Sequence, residues 1–85
     1  MDDVRPIRVF SVDDHILLRQ GIAAVINSEA DMLLVAEASS GKEAIRRYRD
    51  CEPDVTLMDL RLPDISGTDA TISILAEFPA ARIMV

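Results

Sequence analysis

The sequence predicts an α/β fold, a parallel sheet with helices on both faces. Three observations carry that reading. Short apolar runs, too brief for helices, alternate with longer stretches whose apolar residues recur at helical spacing. The runs are apolar enough for strands buried on both faces, as parallel strands are. Carboxylates stand where two of the runs end, and in an open α/β sheet the carboxyl ends of the strands are where ligands bind.

Taken in order, Met1 to Pro6 is a polar lead-in and Ile7-Arg8-Val9-Phe10-Ser11-Val12 is a first strand, closed by Asp13-Asp14. The spacing then predicts a helix from about His15 to about Asn27, with Leu18, Ile22, Val25 and Ile26 on its inner face and Leu17 beside them. Gly21 inside it is read as a mark of close packing. Met32 to Ala38 is a second strand. Ser40-Gly41-Lys42-Glu43 has the spacing of a capping box, in which hydroxyl and carboxylate satisfy each other's orphan backbone donors. The second helix turns Ala44, Ile45 and Tyr48 inward and Arg46, Arg47 and Arg49 outward, and stops by Pro53. Val55-Thr56-Leu57-Met58 is a third strand. Pro53 fits just ahead of it, where no ladder hydrogen bond is lost. Pro63 and Gly67 shape the loop after Asp59. A third helix runs from about Ser66 to about Glu77, with Ile74, Leu75 and Phe78 at its core edge, and Pro79 ends it. Arg82 to Val85 starts a fourth strand. The order β-α-β-α-β-α-β implies right-handed crossovers, and no internal repeat, linker or low-complexity segment interrupts it.

Composition bounds the function. Eighty-five residues make one small domain at most. Residues are 49% hydrophobic but only 4% aromatic, so the core is aliphatic. Fifteen acids against nine bases leave a net charge of −6, which repels phosphate backbones and argues against direct nucleic-acid binding. The single Cys51 has no intrachain disulfide partner. No signal-like start and no long apolar run appear, so the chain reads as soluble and cytoplasmic, away from the membrane.

Asp13-Asp14 ends the first strand and Asp59 the third. In a flavodoxin-like doubly wound sheet of order 2-1-3-4-5 those strands are neighbours, so the three carboxylates converge. Like charges that close repel unless a cation joins them, and a hard, oxygen-seeking ion such as Mg²⁺ suits them. Any one of these acids alone is more simply a solvated loop residue. The doublet, the strand-end position of Asp59 and the turn Leu62-Pro63-Asp64-Ile65-Ser66-Gly67 together favour a site.

Ser11-Val12-Asp13-Asp14-His15, with Leu57-Met58-Asp59-Leu60-Arg61-Leu62-Pro63-Asp64-Ile65-Ser66-Gly67, resembles the receiver domain of bacterial two-component response regulators, most closely the NarL/LuxR type. The resemblance covers the chain from about Ile7. It implies that Asp59 accepts a phosphoryl group from a phosphohistidine on a sensor histidine kinase. It further implies that Asp14, Asp59 and the backbone carbonyl of Arg61 hold Mg²⁺, with Asp13 ligating through water. A DNA-binding output domain beyond the C-terminus is implied by the subfamily alone.

Against that family the sequence stops early, at Val85. Residues 1–85 are therefore expected to be the N-terminal part of a single receiver domain, without its last helix-strand-helix and without the family's strand-end hydroxyl and lysine. Lys42, the only lysine, sits in the second helix cap and does not replace the latter. An exposed fourth strand and an uncovered sheet face are then expected to drive a homodimer or higher assembly, by edge pairing or swapped elements.

Other residues have plainer readings. One histidine gives no ligand spacing, so His15 is an ordinary first-turn residue. Asp50 and Glu52 flank Cys51 and raise its pKa, which leaves the thiol inert. Tyr48 is a packing residue, the three arginines are solvated, and Met32, Met58 and Met84 fill strands. Two other functions compete. A phosphatase of the haloacid-dehalogenase kind wants a second Asp two residues after the nucleophile, where this chain has Arg61. A self-associating fragment without phosphotransfer is the other.

Overall fold

The computed structural model describes residues 5–85. Of the expected lead-in, Met1 to Val4 lies outside the described residues. The elements are β1 (Ile7–Val12), α1 (Ile16–Asn27), β2 (Met32–Ala38), α2 (Gly41–Cys51), β3 (Val55–Met58), α3 (Gly67–Glu77) and β4 (Ile83–Met84). The strands form one parallel sheet of order β2-β1-β3-β4. The parallel sheet is the one that the alternation predicts, and β1 and β3 are neighbours in it as expected.

The register positions the acids. Val12 of β1 pairs with Met58 of β3, so Asp13 and Asp59 each stand one residue beyond a paired position. The Asp59 N–H donates to the Val12 carbonyl at 3.0 Å, and the Asp13 N–H donates to the Ala38 carbonyl at 3.0 Å. Between β1 and β2 the register slips by one between Val9 and Phe10, leaving Val35 without a partner, a β-bulge that the sequence pattern does not announce.

Alternation along the strands sends side chains to opposite faces. Phe10, Val12 and Met58 enter the core with Ala44 and Tyr48 of α2 and Ala70 and Ile74 of α3. Tyr48 also stacks obliquely on Phe78, ring centroids 5.0 Å apart, a geometry worth about 0.5–1.5 kcal/mol beyond area burial. The three arginines of α2 do face outward. Arg47 pairs with Glu43 at 3.2 Å and Arg49 with Glu77 of α3 at 2.8 Å.

On the opposite face α1 packs against β2 and β1. Only Ile26 of its expected inner residues is buried, while Leu17, Leu18 and Val25 are 80%, 52% and 63% exposed. The apolar stripe is real. Among the described residues, however, nothing packs along its outer half, and beside it Val55, Leu57 and Met84 line an open apolar groove with Ile7 and Ile26. Gly21 has open space where a Cβ would stand, so close packing is not its role.

Caps and ends depart slightly from expectation. His15 and Ser66 cap α1 and α3 rather than beginning them, and β4 is limited to Ile83–Met84. At α2, the Ser40 hydroxyl accepts from the Glu43 N–H at 3.1 Å, but the Glu43 carboxylate reaches Ser39, whose N–H donates to it at 2.7 Å. The reciprocal half of the capping box is therefore displaced by one residue.

The α2 N-terminus has another partner. Asp64 accepts from the Gly41 N–H at 2.7 Å and from the Lys42 N–H at 2.9 Å, one through each carboxylate oxygen. Two orphan donors and the positive end of the helix dipole meet one carboxylate. The bond from Lys42 is the largest cause that lowers the Asp64 pKa, to about 2. Its ordinary value is 3.8, so the stabilisation is present above that pH and fades as pH falls toward 2. Asp64→Asn is expected to lower the denaturant midpoint at neutral pH. It should also flatten the loss of stability between pH 4 and pH 2, read by urea titration at each pH.

Candidate functional site

Three strand-end acids and one histidine meet at the carboxyl edge of β1 and β3. Asp13 is buried, Asp59 half-buried, and Asp14 and His15 exposed. His15 Nδ1 lies 2.8 Å from Asp13 Oδ1, 3.1 Å from Asp14 Oδ1 and 3.8 Å from Asp59 Oδ2. One ligand atom from each of these residues falls within 4.8 Å of the others.

Each acid is oriented by backbone. Asp13 Oδ1 accepts from the His15 N–H at 2.8 Å, a side-chain turn that starts α1. Asp59 Oδ1 accepts from the Arg61 N–H at 3.1 Å. Its other oxygen, Oδ2, stands 3.8 Å from His15 Nδ1. Arg61 also lines a cleft of about 500 Å³ that Asp13, Asp59, Met58 and Met84 share.

Gly67 is required by close approach. A Cβ there would overlap the Asp59 carbonyl oxygen and lie 2.8 Å from its carbonyl carbon. The Gly67 N–H donates to the Leu60 carbonyl at 2.9 Å. The first turn of α3 thus rests directly on the peptide that carries the acid.

The donor set fits a hard divalent cation: converging carboxylate oxygens at the sheet edge, with space beside them. His15 lies in the field of these acids. Its hydrogen bond to Asp13, then the charges of Asp14 and Asp13, raise its pKa above the ordinary 6.5; desolvation opposes them, and the charge of Asp59 adds least. A positive charge is stabilised where these acids meet.

The expected acids are brought together, then, and His15, exposed at the N-cap of α1, stands beside them. The signal was its place: as N-cap of α1 it must lie at the same strand end as the doublet. Sequence reasoning also missed Arg19, whose Nη1 donates to the Asp13 carbonyl at 2.7 Å, and Asp64, whose partners are more than twenty residues distant. Cys51 sits half-buried at the far end of α2. Its pKa is raised chiefly by burial. Asp50 adds to the rise, while Arg8 and Arg47 oppose it, so the flanking acids are not the main cause.

Comparison with known proteins agrees with this geometry. Residues 9–85 match the family model of the response regulator receiver domain. The chain belongs to that family. It is 38% identical over 78 residues to response regulator protein VraR of Staphylococcus aureus, covering 92% of this chain and 37% of the relative. Among solved structures it resembles a LuxR-family two-component response regulator from Aurantimonas sp. SI85-9A1, with 41% identity and a TM-score of 0.87, covering 92% of this chain and 56% of that one. The receiver domain of NarL from Mycobacterium tuberculosis gives 28% identity and a TM-score of 0.87, over 93% of this chain and 64% of that one. These likenesses support the NarL/LuxR type. The chain spans little more than a third of the length of the curated relative. No helix among the described residues is long and apolar enough to cross a membrane.

Gly67→Ala is expected to cost about 1–3 kcal/mol, the range for forcing a methyl into filled space. The measurement is a fall in the chemical denaturation midpoint against wild type.

Proposed function

We propose that Asp59 is the phosphoacceptor of this receiver and that its partner is a sensor histidine kinase. The observation that carries the reading is the place of Asp59: Oδ1 is tied to the Arg61 N–H, Oδ2 stands 3.8 Å from His15 Nδ1, and one oxygen each of Asp13, Asp14 and Asp59 falls within 4.8 Å of the others. Oδ2 attacks the phosphorus of the kinase phosphohistidine. The P–N bond breaks with its electron pair leaving on the imidazole nitrogen, and an acyl phosphate forms on Asp59. The chain acts as a substrate and switch in this reading rather than as a turnover enzyme.

Asp14, Asp59 and the Arg61 carbonyl hold Mg²⁺ in this proposal, and Asp13 ligates through water. When bound, the ion neutralises the oxygens of the transferring group. The chain's own contribution is placement: the β1–β3 register fixes the separation of the acids, and the Arg61 N–H fixes the rotamer of Asp59. Output is regulation of transcription through a further domain, a reading supported by likeness to a LuxR-family regulator of which this chain covers 56%. The receiver and its kinase are taken to work in the cytoplasm.

Beryllofluoride with Mg²⁺ tests the pocket. Amide shift changes centred on Asp59 and absent in Asp59→Asn are expected. A small acyl phosphate donor should add one phosphoryl group to wild type, by intact mass, and none to Asp59→Asn. Asp14→Asn should weaken Mg²⁺ binding by more than about tenfold, since changes even outside the ligand shell cost about 10–100-fold. Shift changes that ignore both substitutions would sink the reading.

A homodimer is the second partner proposed, supported by exposed Ile7 and Val25 and by the apolar groove that Ile26, Val55 and Leu57 line beside α1. Light scattering of the 85-residue chain at micromolar concentration should give twice the monomer mass. A monomeric mass with a cooperative melt is the opposing result.

A further inference from the structure

Arg19 is hard to account for on charge alone. It lies in the first turns of α1, its N–H bonded to the His15 carbonyl at 3.0 Å, where the helix dipole disfavours a cation. Its side chain is only 19% exposed. It stands beside acids proposed to bind Mg²⁺, where a fixed positive charge repels the ion. What it does hold is backbone. Nη1 donates to the Asp13 carbonyl at 2.7 Å, and Nε, buried and without a hydrogen bond, stands at ion-pair distance, 3.4 Å, from Glu37 near the end of β2.

That carbonyl belongs to the first residue past β1, where ladder partners end. On its other side the Asp13 N–H is fixed to Ala38. Asp13 is therefore gripped at both backbone groups, once by β2 directly and once by Arg19 with Glu37 alongside. Its carboxylate in turn accepts the His15 N–H. The orientation of the doublet follows from these links, since rotating the Asp13 peptide would break the bond to Arg19 and swing Asp14.

We propose that Arg19, steadied by Glu37, is a positioning residue for the acidic pocket: it clamps the Asp13 carbonyl and so sets the Asp13-Asp14 pair for a divalent cation. The inference rests on the cation reading above and adds two residues that touch no proposed ligand atom. If Arg19 acted on the ion only through space, removing its charge would tighten cation binding. As a clamp, its removal loosens binding.

The test is Mn²⁺ affinity of the purified protein, by electron paramagnetic resonance titration, with thermal melts alongside. Wild type, Asp59→Asn, Arg19→Met, Arg19→Lys and Glu37→Gln are compared. Arg19→Met keeps the apolar stem and is expected to bind Mn²⁺ about tenfold more weakly. Arg19→Lys should recover part of the loss, since one ammonium can reach the carbonyl but lacks the fork that also reaches Glu37. Glu37→Gln should give a smaller loss. Hydrogen exchange of the His15 amide should quicken in Arg19→Met, with or without metal. A folded Arg19→Met that binds Mn²⁺ as well as wild type, or better, overturns the proposal. Should that variant not fold, wild-type affinity in both Arg19→Lys and Glu37→Gln overturns it. Should wild type show no binding that depends on Asp59, the cation reading falls. The His15 amide then decides the clamp by itself, and unchanged exchange refutes it.

Discussion

The pairing of Val12 with Met58 is the constraint on which the rest depends. It is a backbone matter, closed by the Asp59 N–H on the Val12 carbonyl, and indifferent to the chemistry of the acids. Because strand side chains alternate, a slip of one residue would send Phe10, Val12 and Met58 out of the core. The burial of those three side chains therefore enforces the same register that draws the carboxylates together. Core and site are specified by one set of contacts.

Gathering the acids has an electrostatic cost, and the surroundings reduce it in several ways. The N–H groups of His15 and Arg61 each bond one carboxylate oxygen. His15 Nδ1 lies 2.8 Å from Asp13 and 3.1 Å from Asp14, whose hydrogen bond and charges are the largest causes of its raised pKa. The carboxylate oxygens that converge there, within 4.8 Å of one another, are the hard donors that a small divalent ion takes.

Much of this was legible in the residues. The bounds of β1, β2 and β3 follow from apolar runs and their breakers, and Asp13, Asp14 and Asp59 follow from strand ends in a known order of strands. Local pattern shows which face of α1 is apolar but not what lies against it, so Leu18 and Val25 look like core in sequence and are exposed in space. Links between distant segments leave no periodic trace either. Asp64 reads as a turn residue because its real partners, the Gly41 and Lys42 amides, belong to a different element. Arg19 and Glu37 are likewise joined only by the crossover. His15 reads as a first-turn residue along the chain, and its nearness to the three acids comes from the sheet.

The loop from Leu60 to Ser66 illustrates a further point. Its two ends are latched by the bond from the Gly67 N–H to the Leu60 carbonyl, and its middle is latched to α2 through Asp64. Ile65 is wedged against Gly41, where even a methyl would not fit. Such a segment behaves as a closed ring rather than a tether, so its residue count is not free to drift. Insertions that ordinary surface loops absorb would here have to tear open a latch, and related sequences should vary in letters along this segment while keeping its length.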